Sequence, residues 1–341
     1  MAIEPSRRQR IEVLFDQCSD LPPGQRARFL EVAVAGDLAL RQEVEALLAS
    51  AERADSSGRL ERIVAAAFDL PRTGAARPRP GDHYELLEKL GGGGMGTVYR
   101  AIDRRSGQIV ALKFLSDSLA TDPVLKRRFY REAQAAAALR HVNIGAIHGV
   151  EETDDGRLCL VMPYYEGGTL KQAIARGPLP ISEAVSCAAQ VAGGLAHAHA
   201  AGVIHRDIKP ANLMFTGDRV LKILDFGIAK VAGEKLTRTG LVLGTLAYMS
   251  PEQAAGGVLD HRTDLWALGV VLHEMLTGRP PFAAASIELL FRAVRFEDPP
   301  PVRSLRPEAP DEIQAIVACL LQKEPGRRYP DADSVAAALG G

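Results

Sequence analysis

Residues Leu90 to Val98 read LGGGGMGTV, five glycines in nine residues, and no other stretch limits the fold so tightly. Glycine lacks a Cβ and adopts positive φ at little cost, so such a run does not fill a helix interior or a core; it lets backbone come close to something. The spacing G-x-G-x-x-G-x-V falls on Gly91, Gly93, Gly96 and Val98, a pattern whose backbone N–H groups can approach phosphate oxygens. A dinucleotide fold would open a helix at the third glycine and place an acid about twenty residues on. Here Thr97 to Ala101 is strand-like, Arg104 to Gly107 is a turn and Ile109 to Leu115 is strand-like again. The glycines therefore join strands of a hairpin, and with no G-K-[ST] after them the Walker A reading also fails.

The second of these strands carries VALK, Val110 to Lys113. A lysine among apolar strand neighbours either snorkels to solvent or needs an anion. Pro123 to Arg140 has a helical pattern and contains Glu132, the natural candidate partner. Farther on, His205 to Asn212 reads HRDIKPAN, and thirteen residues beyond Asn212 comes Asp225 in DFG, after the largely apolar run Val220 to Leu224.

With these motifs in this order, roughly residues 82–340 resemble the protein kinase superfamily, and more closely the bacterial serine/threonine kinases of eukaryotic type. The resemblance implies an α+β, two-lobed fold, with a small β-rich N-lobe over about 82–164 and a larger helical C-lobe over about 165–341. It implies ATP as phosphoryl donor, with magnesium, or manganese as an alternative ion, and protein substrates bearing Ser or Thr. Residue by residue, Leu90, Gly91, Gly92, Gly93, Gly94, Met95, Gly96, Thr97 and Val98 would cover ATP. Ala111, the gatekeeper Met162 and the backbone of Tyr165 would meet the adenine. Lys113, paired to Glu132, would hold the α and β phosphates. Asp207 would orient the substrate hydroxyl, Lys209 would neutralise the transferring phosphoryl group, and Asn212 with Asp225 would hold the metal.

Asp225 to Glu252 is the expected activation segment, closing in Ser250, Pro251 and Glu252 where the family has A-P-E. Thr237 and Thr239, in TRT, resemble the autophosphorylated threonine pair of the bacterial kinases, which implies self-association, and Arg206 would receive the new phosphate. Lys209, together with Gly244 and Thr245 before Tyr248, resembles the serine/threonine rather than the tyrosine branch. Asp264 and Arg328 match scaffold positions, with Arg328 paired to Glu252. Two departures stand out, Val142 for the proline of HPNI and Pro163 where glutamate is common. A signalling scaffold without catalysis would lack Lys113, Asp207 or Asn212, and a small-molecule phosphotransferase would lack the activation segment.

The chain of 341 residues has room for a second unit. Pro71 to Gly81 holds three prolines, two glycines and three arginines with no acid, which reads as an exposed linker. Residues 1–70 before it read as a small all-α module, with Ile11, Leu14, Phe15 and Cys18, and Leu40, Val44, Leu47 and Leu48, at helical spacing. Asp20 and Asp37 stand at candidate N-caps, and nothing in this module names its partner. With 41 basic against 42 acidic residues, no field draws in nucleic acid. Ala184 to Ile204 lacks charge for 21 residues, but Ser186, Gln190, His197, His199 and paired glycines make it a buried helix rather than a membrane span. His197 and His199 point apart on that helix and cannot share an ion. The four cysteines, Cys18, Cys159, Cys187 and Cys319, are scattered thiols without metal spacing, and no secretory signal opens the chain, so a cytoplasmic location is expected.

Overall fold

The computed structural model describes residues 83–93, 96–115, 123–153, 157–226 and 246–340, with scattered positions between 14 and 45. Gly94, Met95, Thr237, Thr239, Gly244, Thr245, Cys18, Asp20 and the linker 71–81 lie outside the described residues. The chain divides into two compact units, Met1–Arg77 and Pro78–Gly341. In the first, Leu14, Leu30, Leu40 and Val44 are buried helical positions. The Asp37 carboxylate caps a helix there by accepting the Leu40 N–H at 3.0 Å.

The second unit begins with a five-stranded antiparallel sheet of order β1-β2-β3-β5-β4, formed by β1 (Tyr84–Gly93), β2 (Gly96–Asp103), β3 (Gln108–Leu115), β4 (Gly149–Glu152) and β5 (Leu158–Pro163). The glycine run is the tip of the β1–β2 hairpin, as the strand-like flanks predict. Gly96 is obligatory there, because its φ is 134° and an added Cβ would lie 1.9 Å from the Phe114 carbonyl oxygen.

Cross-strand partners share a face of a sheet. Val98, Lys113 and Leu160 therefore form one row, and Arg100, Ala111 and Met162 the next, on a single face. Helix α1 (Pro123–Ala138) packs Phe129 and Ala133 on that side with Leu115, Leu158 and Leu160. The other face buries Tyr84, Ala101, Val110, Leu112 and Phe114.

The sheet connects through Tyr164 and the residues after it to a helical lobe. It comprises α2 (Leu170–Ile174), α3 (Ile181–Ala200), the small ribbon β6 (Leu213–Phe215) and β7 (Leu221–Ile223), then α4 (Pro251–Ala254), α5 (Arg262–Thr277), α6 (Ile287–Phe296), α7 (Val302–Leu305), α8 (Asp311–Leu320) and α9 (Ala332–Ala338). The charge-free stretch is α3, whose Ala184, Cys187, Val191 and Leu195 are buried against α5 and α9. No described helix is long and apolar enough to cross a membrane. Helix α5 is apolar on nearly every side, which fits only a core position. At its centre Trp266 is fully buried and stacks on Phe282, ring centroids 5.8 Å apart.

Arg328 and Glu252 form a two-pronged ion pair, both N–H···O distances 2.8 Å, beneath Trp266. Burial alone would raise the Glu252 carboxyl, but the Arg328 guanidinium outweighs it and holds the group below its ordinary value. The pair thus stabilises the fold at neutral pH, and its contribution fades as pH falls through the carboxylate range. Arg328→Leu, which strands the Glu252 charge, should lower unfolding free energy in urea by about 3–5 kcal/mol, with the deficit shrinking in acid as Glu252 protonates.

Candidate active site

The HRDIKPAN segment forms an extended loop ending in a short 3-10 turn, Pro210–Asn212, before β6. Within it the Asp207 carboxylate is gripped locally. Lys209 Nζ reaches its two oxygens at 3.0 and 2.9 Å, and the Asn212 amide nitrogen donates to Asp207 Oδ2 at 2.9 Å and to its backbone carbonyl at 2.8 Å. Spacings of two and five residues bring these groups together, so the cluster is encoded in the loop itself.

Below the loop, Asp264 of α5 is wholly buried. Its carboxylate accepts the His205 N–H at 2.8 Å, the Arg206 N–H at 2.7 Å and His199 Nε2 at 2.8 Å. From the opposite side Gln253 Nε2 donates to the Arg206 carbonyl at 3.0 Å. Arg206 needs this double hold, since its φ of 68° is costly for a residue with a side chain. Asp264 was legible only as scaffold. An acid in the first turn of a helix whose following residues, Leu265 to Leu272, carry no charge is the signal that it must serve buried donors.

Asp225 also has positive φ, 65°. His205 Nε2 donates to the Leu224 carbonyl at 2.8 Å, the Leu224 N–H donates to the Asn212 carbonyl at 2.8 Å, and the Phe226 ring meets the His205 ring edge-on at 4.7 Å. These contacts set Asp225 beside Asn212. Asn143 adds a hold that sequence reading missed: its amide bridges Gln190 Oε1 at 2.9 Å and the Leu221 carbonyl at 3.0 Å, fixing β7 ahead of Asp225.

Lys113 is buried in β3 and donates to Asp225 Oδ2 at 2.6 Å. The expected partner was Glu132, and that pairing is not present. Helix α1 turns Phe129 and Ala133 to the sheet, and Glu132 lies on the flank, 3.9 Å from Arg131. The buried ammonium takes Asp225 instead. Burial would raise the Asp225 carboxyl, but Lys113, with His205 and Lys209, keeps it below its ordinary value.

The donor set suits a hard divalent cation. Because the Asn212 nitrogen is committed to Asp207, its Oδ1 is left as a neutral oxygen donor next to the Asp225 carboxylate. Ala111 and Met162 are buried in the sheet row facing Lys113's side, while Leu90, Gly91 and Gly92 at the hairpin are exposed, with Thr97 and Val98 half-buried. Tyr165 is half-buried, its hydroxyl accepting the Ala146 N–H at 3.3 Å. Ser250 caps α4: its hydroxyl accepts the Gln253 N–H at 3.2 Å while the Gln253 side chain accepts the Ser250 N–H at 2.9 Å.

Residues 84–337 match the protein kinase domain family. The serine/threonine-protein kinase PknB of Mycobacterium leprae is 42% identical over 269 residues, covering 77% of this chain and 43% of that protein. PrkC of Bacillus subtilis is 41% identical over 257 residues, 74% of this chain and 39% of its own length. The chain thus spans less than half the length of these curated relatives. Among solved structures, the Mycobacterium tuberculosis PknI kinase domain superimposes with a TM-score of 0.62 at 30% identity, covering 78% of this chain and 98% of that domain. The loop around Asp207, the Asp225 turn opposite Lys113 and the matched residues agree, and the chain belongs to the protein kinase family.

Proposed function

We propose that this chain is a serine/threonine protein kinase that transfers the γ-phosphoryl group of ATP to hydroxyls of protein substrates, acting in the cytoplasm. The observation that carries the reading is the single constellation of Asp207, Lys209 and Asn212 beside an Asp225 held by Lys113. The names of the related PknB and PrkC support Ser/Thr as acceptors.

Asp207 orients the hydroxyl and takes its proton as the new O–P bond forms and the bond to the ADP leaving oxygen breaks. Lys209, 2.9 Å from Asp207, supplies positive charge at the transferring phosphoryl group. On this reading Lys113 holds the α and β phosphates, Leu90 to Val98 cover them, and Ala111, Met162 and the Tyr165 backbone line the base. Asn212 and Asp225 would hold magnesium, which when bound neutralises phosphate charge. Thr237 and Thr239 are the proposed autophosphorylation sites, and residues 1–70 a docking module.

Incubation with labelled ATP and magnesium should label wild type and a generic protein substrate, while Asp207→Asn drops incorporation by about a thousandfold or more; equal labelling would exclude the assignment. Asp264→Asn exchanges an acceptor for a donor facing two backbone N–H groups, so it should cost about 1–3 kcal/mol in stability and also depress turnover. Urea titration and initial rates read these two effects. Phosphopeptide mapping after ATP incubation should find phosphate on Thr237 or Thr239, and an active enzyme with both unmodified would remove the switch.

A further inference from the structure

Arg100 sits on β2, two residues beyond Val98 and in the same sheet row as Ala111 and Met162, so it faces the same side as Lys113. Its guanidinium lies over the Tyr164 ring, 5.0 Å from the centroid. Tyr164 follows the last residue of β5 and begins the connection to the helical lobe. On its other side Arg100 donates to Glu88 at 3.2 Å.

Glu88 falls where the β1–β2 ladder is irregular, with register shifts between Leu86 and Lys89 and between Lys89 and Gly91. β1 is also an edge strand, paired on one side only. Backbone pairing is therefore interrupted at the base of the glycine hairpin, and the Glu88–Arg100–Tyr164 line spans the interruption. Arg100 Nε is buried without a hydrogen-bond partner. The one hydrogen bond of the guanidinium goes to the exposed Glu88, so on the buried side it is stacking on Tyr164 that holds the side chain.

We propose that Arg100 is a positioning residue for nucleotide binding: stacked on Tyr164 and tethered to Glu88, it fixes the glycine-rich hairpin against the segment that receives the base. The inference rests on the kinase reading, because it assigns the nucleotide to the cleft between hairpin and connector. The Arg100 guanidinium touches no reacting group. It acts through the distance it sets between two parts of one pocket, one covering phosphates and the other meeting adenine. Its loss frees the hairpin to sample positions that bind nucleotide poorly, and affinity falls by the fraction of time spent there.

Calorimetric titration with ADP on the full chain tests this in wild type, Arg100→Leu, Tyr164→Leu, Tyr164→Phe and the double leucine variant. Each leucine variant should bind ADP about three- to tenfold more weakly, the range expected for a partly desolvated cation–π contact. Tyr164→Phe keeps the ring and should stay within about twofold of wild type. The double variant should bind no more weakly than the weaker single, since both changes remove one interaction. KM for ATP should follow these losses while KM for the protein substrate does not, which a general loss of structure would not produce.

Nucleotide-free melting temperatures report folding, and if Arg100→Leu unfolds, the Tyr164 pair decides alone, because its members differ in the ring. Leucine variants that bind ADP as wild type does, losses that multiply in the double variant, or a phenylalanine variant as weak as the leucine one would each overturn the proposal. Wild type that binds no ADP would remove the kinase reading together with it, whereas wild type that binds with unchanged variants removes only the role of Arg100.

Discussion

The loop that carries Asp207 depends on one buried carboxylate. Asp264 is fully buried in the helical lobe, where an unpaired charge would be prohibitive, and it is compensated by the His205 and Arg206 N–H groups and the His199 imidazole. That compensation has a geometric result. Two successive N–H groups can reach one carboxylate only if the chain bends sharply, and the bend is the positive φ of Arg206. The strain is local, the restraint is helix α5, and Asp207 follows immediately. His205 passes the restraint on through the Leu224 carbonyl to the second strained residue, Asp225. Both special backbone positions of the site thus trace to a single helix residue.

The second constraint joins the lobes. Lys113 belongs to the sheet and Asp225 to the helical lobe, and their 2.6 Å contact crosses between them. A buried ammonium and a half-buried carboxylate are each costly alone, so each lobe supplies what the other lacks. The same two groups are those assigned to phosphate and metal. Occupation of the cleft would offer Lys113 new anions and Asp225 a new cation, so each group would exchange its present partner for a ligand of the same charge sign.

What could be read from the sequence follows from how local the cause is. The hairpin was legible because glycine spacing and flanking strands lie within thirty residues, and the Asp207 cluster because Lys209 and Asn212 are two and five positions away. The partner of Lys113 was not. It turns on how helix α1 is rotated about its axis, and that is decided by Phe129 and Ala133 packing on the sheet rather than by Glu132. The part Ser250 plays was not legible for a related reason: its hydroxyl closes a capping box with Gln253, whose side-chain amide also steadies Arg206. Arg328 and Glu252 do pair as expected, because few buried cations can face that acid.

The two departures from the expected pattern are absorbed by the backbone. Val142 is 60% exposed, and what its position contributes is a carbonyl, which accepts Lys222 Nζ at 2.6 Å. That bond forms whatever the side chain is. Pro163 is the final residue of β5, paired with Val110 at the end of the ladder. Proline is tolerated where a strand stops, because its missing N–H costs little there and its fixed φ helps to turn the chain. The base-facing contact proposed for the connector itself is the Tyr165 backbone, two residues beyond the proline ring, so Pro163 removes none of its groups. A stiff residue between Met162 and Tyr164 narrows the directions in which Tyr164 can point, and Tyr164 is the ring on which Arg100 rests. Proline and arginine then act on the same segment from within and from above, so a substitution that looks like a loss in the sequence becomes part of what holds the connector in place.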